Sequence, residues 1–464
     1  MKNKTKAFLT CFLPLLLYSI LVQYDNDHHA RLRSHNKSIH ALDRRRKERI
    51  PWDTVNERIS DRHFRRMFRM TRCCFSLLCQ KIISRVGEKQ FKSEAYINAF
   101  LKGKDPMYDA NVRTTGGYVS GEVKLAITLR LLAGGDALDL AVMFDVHSDH
   151  CTKIMYDVLL HWVINIDIGD MNMIRYLGDK DAMAKVSLGF SRRSNGVLKG
   201  AIGAIDGWLV RVVRPGWRDL VMNPVSFFSR KGFYALNVQC IVDDRKKVLW
   251  VSYSHKGGSH DSSCLRETQL YNHLISIRDE LYKDGYFILG DSAYTIESFL
   301  IPPYDNTTSR TSEDDFNFYQ SSARITVECA FGEIDLRWGV FWKRLTGSLE
   351  HSALIIEGAM RIHNFLVDYR DAQSTDESTN NMVNEINIER DIFENDCSDR
   401  GVQPIVVGND GGRLAGRPSA LEKYYKVQGI QLRDKLRLAI RDHDMHRPRK
   451  EEWDTNINTH VVRN

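Results

Sequence analysis

The chain has 464 residues, 43% hydrophobic and 27% charged, which is apolar material for two or three domains and excludes a wholly disordered or fibrous chain. A formal net charge of +7 is compatible with a polyanionic partner without demanding one. The nine cysteines, at 11, 73, 74, 79, 151, 240, 264, 329 and 397, make no C-x-x-C pair, so their spacing offers neither a zinc site nor a disulfide framework and reads as reduced thiols of an intracellular protein.

The first segment, 1–27, disagrees with that reading. Lys2, Lys4 and Lys6 precede an apolar run from Ala7 to Val22, the layout of a signal peptide or a marginal membrane anchor. No small-residue cleavage site follows, because Tyr24 to His29 is polar and bulky. The alternatives are a helix packed on the body and membrane attachment through residues 7–22. Residues 28–50 are strongly basic around Arg44, Arg45, Arg46 and Lys47. They read as a nuclear-import signal, an electrostatic arm for DNA, or a solvated charge run.

A helical region is expected over 51–170. Phe64, Met67, Met70, Phe75, Leu78 and Ile82 recur at helical spacing between Ile50 and Val86. Farther on, Val123, Ile127, Leu131 and Leu132 make one face that ends at Gly134 and Gly135. A short helix over 137–144, a turn at 145–148 with Ser148 as its N-cap, and a longer helix over 149–162 follow. This is the pattern of a helix-turn-helix. Its second helix would present Asp149, His150, Thr152 and Lys153 to a DNA groove, a weakly basic set, and an ordinary helical domain explains the pattern equally well. Residues 166–198 carry no clear pattern, and 191–196 reads as a loop.

The second domain, 198–370, is expected to be α/β. Gly203 to Val213 is a short apolar run rich in Ile and Val, a buried strand that carries Asp206. A carboxylate there is costly unless it is paired or holds a cation, although Asp206-Gly207 is also a turn signal. Phe233 to Asp243 alternates as a second strand, 244–246 turns, and 248–253 returns, so an antiparallel meander is expected. A loop ending at Asp261 leads to a helix over 263–282. Gly285 to Asp291 is then a strand with an acid at its carboxyl end, parallel to a neighbour because a helix precedes it. After a polar insert over 305–319, a helix from Ser321 to about Lys343 carries the stripe Val327, Phe331, Ile334 and Trp338. Glu328 lies at the edge of that stripe, where it can reach the sheet or merely pair with Arg324 at i, i+4.

Asp206, Asp261, Asp291 and Glu328 would repel one another strongly unless cations compensate. Oxygen ligands of this hardness suit Mg²⁺ or Mn²⁺, and a pair of such ions can activate water and stabilise the leaving oxygen in phosphodiester cleavage. Arg211, Arg214 and Lys231, with Lys153 from the helical region, are candidate phosphate contacts.

The blocks at 203–207, 229–232, 258–262, 289–294 and 327–332, with Ile362-His363-Asn364, resemble the PIF/Harbinger transposases and the nucleases derived from them. The resemblance spans about 50–370, and the acid-bearing blocks arrive in family order. It implies an RNase H-like fold and a metal-dependent DNA endonuclease. It assigns Asp206, Asp291 and Glu328 as the catalytic and metal-binding triad and Asp261 as a further metal-binding acid. It implies double-stranded DNA as partner, a Myb-like accessory protein, a nuclear location, and admits a homo-oligomer. The competing expectation is a domesticated, catalytically silent protein that binds DNA or a partner. Trp208 and Leu209 stand where the family usually has a small hydroxyl residue and His, so Trp208 is expected to crowd the site, and Asp335 replaces a position that is often Lys. The last segment, 371–464, reads as an acidic disordered linker and a basic helix over 424–446, where Arg433, Lys435 and Arg437 could meet DNA backbone or solvent.

Overall fold

The computed structural model describes residues 50–88, 91, 119–216, 219, 221, 223–373, 420–443 and 445–448. The apolar segment at 7–22, the basic centre at 44–47 and the acidic linker beyond 373 lie outside the described residues; 371–373, expected in that linker, end a helix.

Three helices open the described chain: α1 (Trp52–Arg58), α2 (Asp61–Phe68) and α3 (Arg72–Val86). The single helical stretch read from the sequence is thus broken twice. Ser60 and Thr71 interrupt it, each accepting a hydrogen bond from the backbone N–H three residues on and so starting a new helix. The apolar face is as expected, with Phe64, Met70, Phe75, Leu78 and Ile82 buried. Helix α4 (Gly121–Leu132) follows, then α5 (Ala137–Phe144) and α6 (Ser148–Val158), which continues through a π-helical turn at Leu159–Ile164. The short-turn-long arrangement is present. Its cap is His147, whose ring accepts from the Asp149 N–H, and not Ser148, which is the first helical residue. The unpatterned stretch also folds: α7 (Met173–Leu177) and α8 (Lys180–Arg193) fill it, and the last turn of α8 takes in Ser191–Arg193, where a loop was expected. Asn172 and Asp179 cap these two helices. Their buried apolar residues do recur at helical spacing, Met173 and Leu177 in α7 and Met183, Val186 and Phe190 in α8, a period the sequence reading did not register.

The sheet has five strands in the order β3-β2-β1-β4-β5: β1 (Ala201–Arg211), β2 (Ala235–Val242), β3 (Val248–Lys256), β4 (Phe287–Leu289) and β5 (Leu300–Ile301). β1, β2 and β3 form the expected antiparallel meander, while β4 and β5 run parallel to β1. Helices α9 (Asp261–Arg266) and α10 (Gln269–Asp284) make the crossover. This is an RNase H-like α/β fold, as the resemblance implied.

Helix α11 (Ser312–Arg337) lies across the other face of the sheet and starts inside the supposed polar insert, where Thr311 caps it and Glu313, Asp314 and Asp315 favour its first turn. Val327, Phe331, Ile334 and Trp338 are all buried. Helix α12 (Leu349–Gln373) packs beside it, and its Asn364 amide is spent on backbone: Oδ1 accepts from the Val248 N–H and Nδ2 donates to the carbonyls of Val248 and Gly169. The Ile362-His363-Asn364 block therefore ties the α6–α7 connection to the edge of the sheet. A single apolar cluster runs from Phe64 and Leu78 through Trp162 to Val238 and Ile356, so the helical region and the sheet share a core.

The basic helix α13 (Ala420–Asp442) packs one face on the body of the protein and leaves the other exposed. Leu432, Leu436 and Ile440 are buried in the main cluster. The Arg433 guanidinium lies 3.9 Å from the Tyr304 ring centroid and donates to the Pro303 carbonyl, and Arg437 donates to Ser312 Oγ at 2.7 Å. Two of the three cations that suggested phosphate contact are thus consumed within the protein; Lys435 stays exposed.

Candidate active site

Alternation along β1 sends Ala204, Asp206, Trp208 and Val210 toward α11, and Ile205, Gly207 and Leu209 toward α9 and α10. Asp206 lies in mid-strand, paired with Cys240 of β2. Asp291 follows the carboxyl end of β4, which neighbours β1, and its Oδ1 accepts from the Ala293 N–H at 3.0 Å. Glu328 comes from the middle of α11, one turn after Arg324.

The Arg324 guanidinium joins two of these acids. Nη2 is 2.6 Å from Glu328 Oε1, and Nη1 is 3.5 Å from Asp206 Oδ2. Glu328 is 48% exposed, whereas Arg324 and Asp206 are 15% and 19% exposed, so Glu328 meets the group from its solvent side. Burial, and next the Asp291 carboxylate, push the Asp206 carboxyl up to about 7, with Glu328 adding to the rise. Asp291 is raised as well, by burial first and also by Asp261, while Arg324 and Arg230 pull it down. Asp206 therefore shares its surroundings with Asp291, Arg324 and Glu328.

Asp261 reaches this space from the opposite face of the sheet. Its Oδ1 accepts from Asn237 Nδ2 at 2.8 Å and Gln239 Nε2 at 2.9 Å, and Gln239 Oε1 in turn accepts from the Tyr294 hydroxyl at 2.5 Å. β1 separates Asp261 from Asp206, and Asp261 meets the strand at Gly207, which has no side chain to hold it off. Among the described residues no three His, Cys, Asp or Glu side chains are gathered closely enough to hold a metal ion as they stand. The donors fit a hard cation in kind, and a cation, the Arg324 guanidinium, already lies between Asp206 and Glu328.

Trp208 does not crowd this group. It stacks on Phe331 with centroids 5.6 Å apart and meets Phe341 edge-on at 4.9 Å, so it anchors α11 to β1. Asp335 has its carboxyl raised by burial and lowered by Arg211. Of the candidate phosphate contacts, Arg211, Arg214, Lys231 and Lys153 are all exposed, and Arg211 lies over the Phe233 ring at 4.5 Å. A cavity of about 440 Å³ opens beside the acids, lined by Asp291, Ser292, Asn317, Phe318, Arg324 and Arg447 among others. The sequence reading missed Asn237, Gln239, Tyr294, Arg230 and Arg447. The amides on β2 were visible as polar positions in an apolar strand; Arg447 gave no signal.

Residues 205–364 match the DDE superfamily endonuclease family. The chain is also similar to a protein ALP1-like of Arabidopsis thaliana, 22% identical over 313 residues that cover 64% of this chain and 72% of the relative. No solved structure matches. β1 with Asp206, the end of β4 with Asp291 and α11 with Glu328 all fall inside the matched span, so residues 205–364 are similar to a DDE superfamily endonuclease domain.

Proposed function

We propose that the protein is a divalent-metal-dependent endonuclease that cleaves DNA phosphodiester bonds at Asp206, Asp291 and Glu328. What supports this reading is that β1, the end of β4 and α11 carry Asp206, Asp291 and Glu328 inside the matched span, and that burial and the Asp291 carboxylate raise the Asp206 carboxyl. Such a group is costly when buried without a cation, and it supplies the oxygen ligands that Mg²⁺ or Mn²⁺ prefer. Asp206, Asp291 and Glu328 would hold the metal, two ions on this reading, and the metal would supply an activated water and charge stabilisation at the leaving oxygen. Asp261, across β1, acts on Asp291 through its charge and keeps Gln239 and Asn237 in place.

DNA would approach on the exposed side of Glu328, where Arg211, Arg214 and Lys231 could meet its phosphates, with Lys153 of the helix-turn-helix-like pair as a second contact. Nuclear import by residues 28–50, a Myb-like accessory protein and self-association accompany this reading as expectations of the family. A Mn²⁺-dependent nicking assay on supercoiled plasmid tests it. The wild-type protein nicks and Asp291→Asn does not; equal cutting by both overturns the assignment.

The second reading is a domesticated protein that keeps the fold and has lost cleavage. The Arg324 guanidinium between Asp206 and Glu328 favours it, since an internal cation can replace the metal permanently. Undiminished DNA binding with no nicking in either Mg²⁺ or Mn²⁺ would support this reading.

A further inference from the structure

Arg324 is one helical turn before Glu328 on α11, and its side chain is 15% exposed. It contacts Glu328 Oε1 at 2.6 Å and Asp206 Oδ2 at 3.5 Å, and it lines the cavity that also contains Asp291. It is thus the positive charge seated inside the acid group. Arg230, which also acts on Asp291, is an exposed residue of the β1–β2 connection and makes no ion pair with Asp206 or Glu328 among the described contacts.

A guanidinium cannot shed its proton at any pH the protein survives, so it cannot make room by becoming neutral. A divalent ion that takes the facing lone pairs of Asp206 and Glu328 must therefore drive the guanidinium off those oxygens. The long side chain has somewhere to go. The cavity beside Asp291 is large enough for a nucleotide-sized group, and a second arginine, Arg447, lines it. Arg447 is itself held by Asp314 at 2.8 Å, which leaves Arg324 as the cation with a reason to move.

Resting on the metal-dependent reading above, we propose that Arg324 is a built-in counter-cation that occupies the Asp206–Glu328 side of the site in the metal-free protein and competes directly with the divalent ion. It is a positioning residue: it keeps the carboxylates together without metal and yields them when metal enters.

The test is Mn²⁺ binding to the full-length protein, followed by electron paramagnetic resonance of the free ion at fixed pH, with thermal unfolding in parallel. Removing a like charge at this distance is expected to tighten Mn²⁺ binding roughly tenfold in Arg324→Gln. Arg324→Lys, which keeps the charge and loses the planar fork, falls between Arg324→Gln and wild type. Without metal, Arg324→Gln unfolds at a lower temperature than wild type, and Mn²⁺ raises its unfolding temperature by more. If Arg324→Gln binds Mn²⁺ no tighter than wild type while its metal-saturated unfolding temperature matches, Arg324 orients Glu328 and the competition is refuted. If wild type, Arg324→Gln and an Asp206→Asn control show the same absence of binding, the proposal fails together with the metal-dependent reading. The two failures are therefore distinct.

Discussion

Gly207 backs directly onto the Asp261 carboxylate: a Cβ built on the glycine would overlap Asp261 Oδ1 and crowd Gln239 Nε2. The contact sets an acid from the crossover directly against β1, one residue from Asp206. The glycine leaves a gap in β1, and Asn237 and Gln239 on β2 hold the carboxylate in that gap.

Gly207→Ala is therefore expected to displace Asp261 with little effect on the rest of the sheet, and Gln239→Ala to release one of its two amide donors. Groups that orient a metal-binding shell typically change affinity or activity by about 10- to 100-fold when removed. Nicking rates of both variants, at Mn²⁺ concentrations spanning saturation, check this. Wild-type rates in both would show that Asp261 has no part in the site.

The pH dependence of stability follows from Asp206. Its carboxyl lies at about 7 in the folded protein against an ordinary 3.8. Between those values the folded protein keeps a proton that the unfolded chain has released. This contribution is therefore fully present at about pH 4 and lost as pH rises through 7. In EDTA, the urea midpoint of wild type should fall more steeply from pH 4.5 to 7.5 than that of Asp206→Asn. Parallel slopes would mean that Asp206 is not the strained group.

Helix α13 is expected to behave as part of the nuclease domain. Leu436 is buried in the main cluster, and Leu436→Ala should cost about 2–5 kcal/mol, a cavity cost in a packed core. Urea unfolding measures it. A loss under about 0.5 kcal/mol, as for an exposed position, would show that the helix is not docked in solution.

The fold was legible where one physical signal dominated. Alternation fixed β2, and the hairpin turn at 244–246 fixed β3. The acid at the end of a short apolar run marked β4, and the stripe from Val327 to Trp338 marked α11. Local capping decided what periodicity could not. Ser60 and Thr71 split one apparent helix into three, and Thr311 started α11 inside a polar segment. The docking of α13 was hidden because the same arginines serve solvent, phosphate or an aromatic ring equally well until Tyr304 is beside Arg433. At the site, motif order singled out Asp206, Asp291 and Glu328, and the structure sets the Arg324 guanidinium between Asp206 and Glu328. The position of Asp261 depended on which face of β1 it met, and a loop acid carries no periodicity from which to read a face.

The proposal that Asp206, Asp291 and Glu328 together hold divalent metal is tested most directly by Fe²⁺. Iron bound in place of magnesium, with ascorbate and peroxide, generates hydroxyl radicals that cut the polypeptide near the bound ion. Cuts clustered together around residues 206, 291 and 328, abolished by excess Mg²⁺ and absent from Asp206→Asn, are the predicted result. Cutting confined to other segments, or unchanged in Asp206→Asn, would contradict the account.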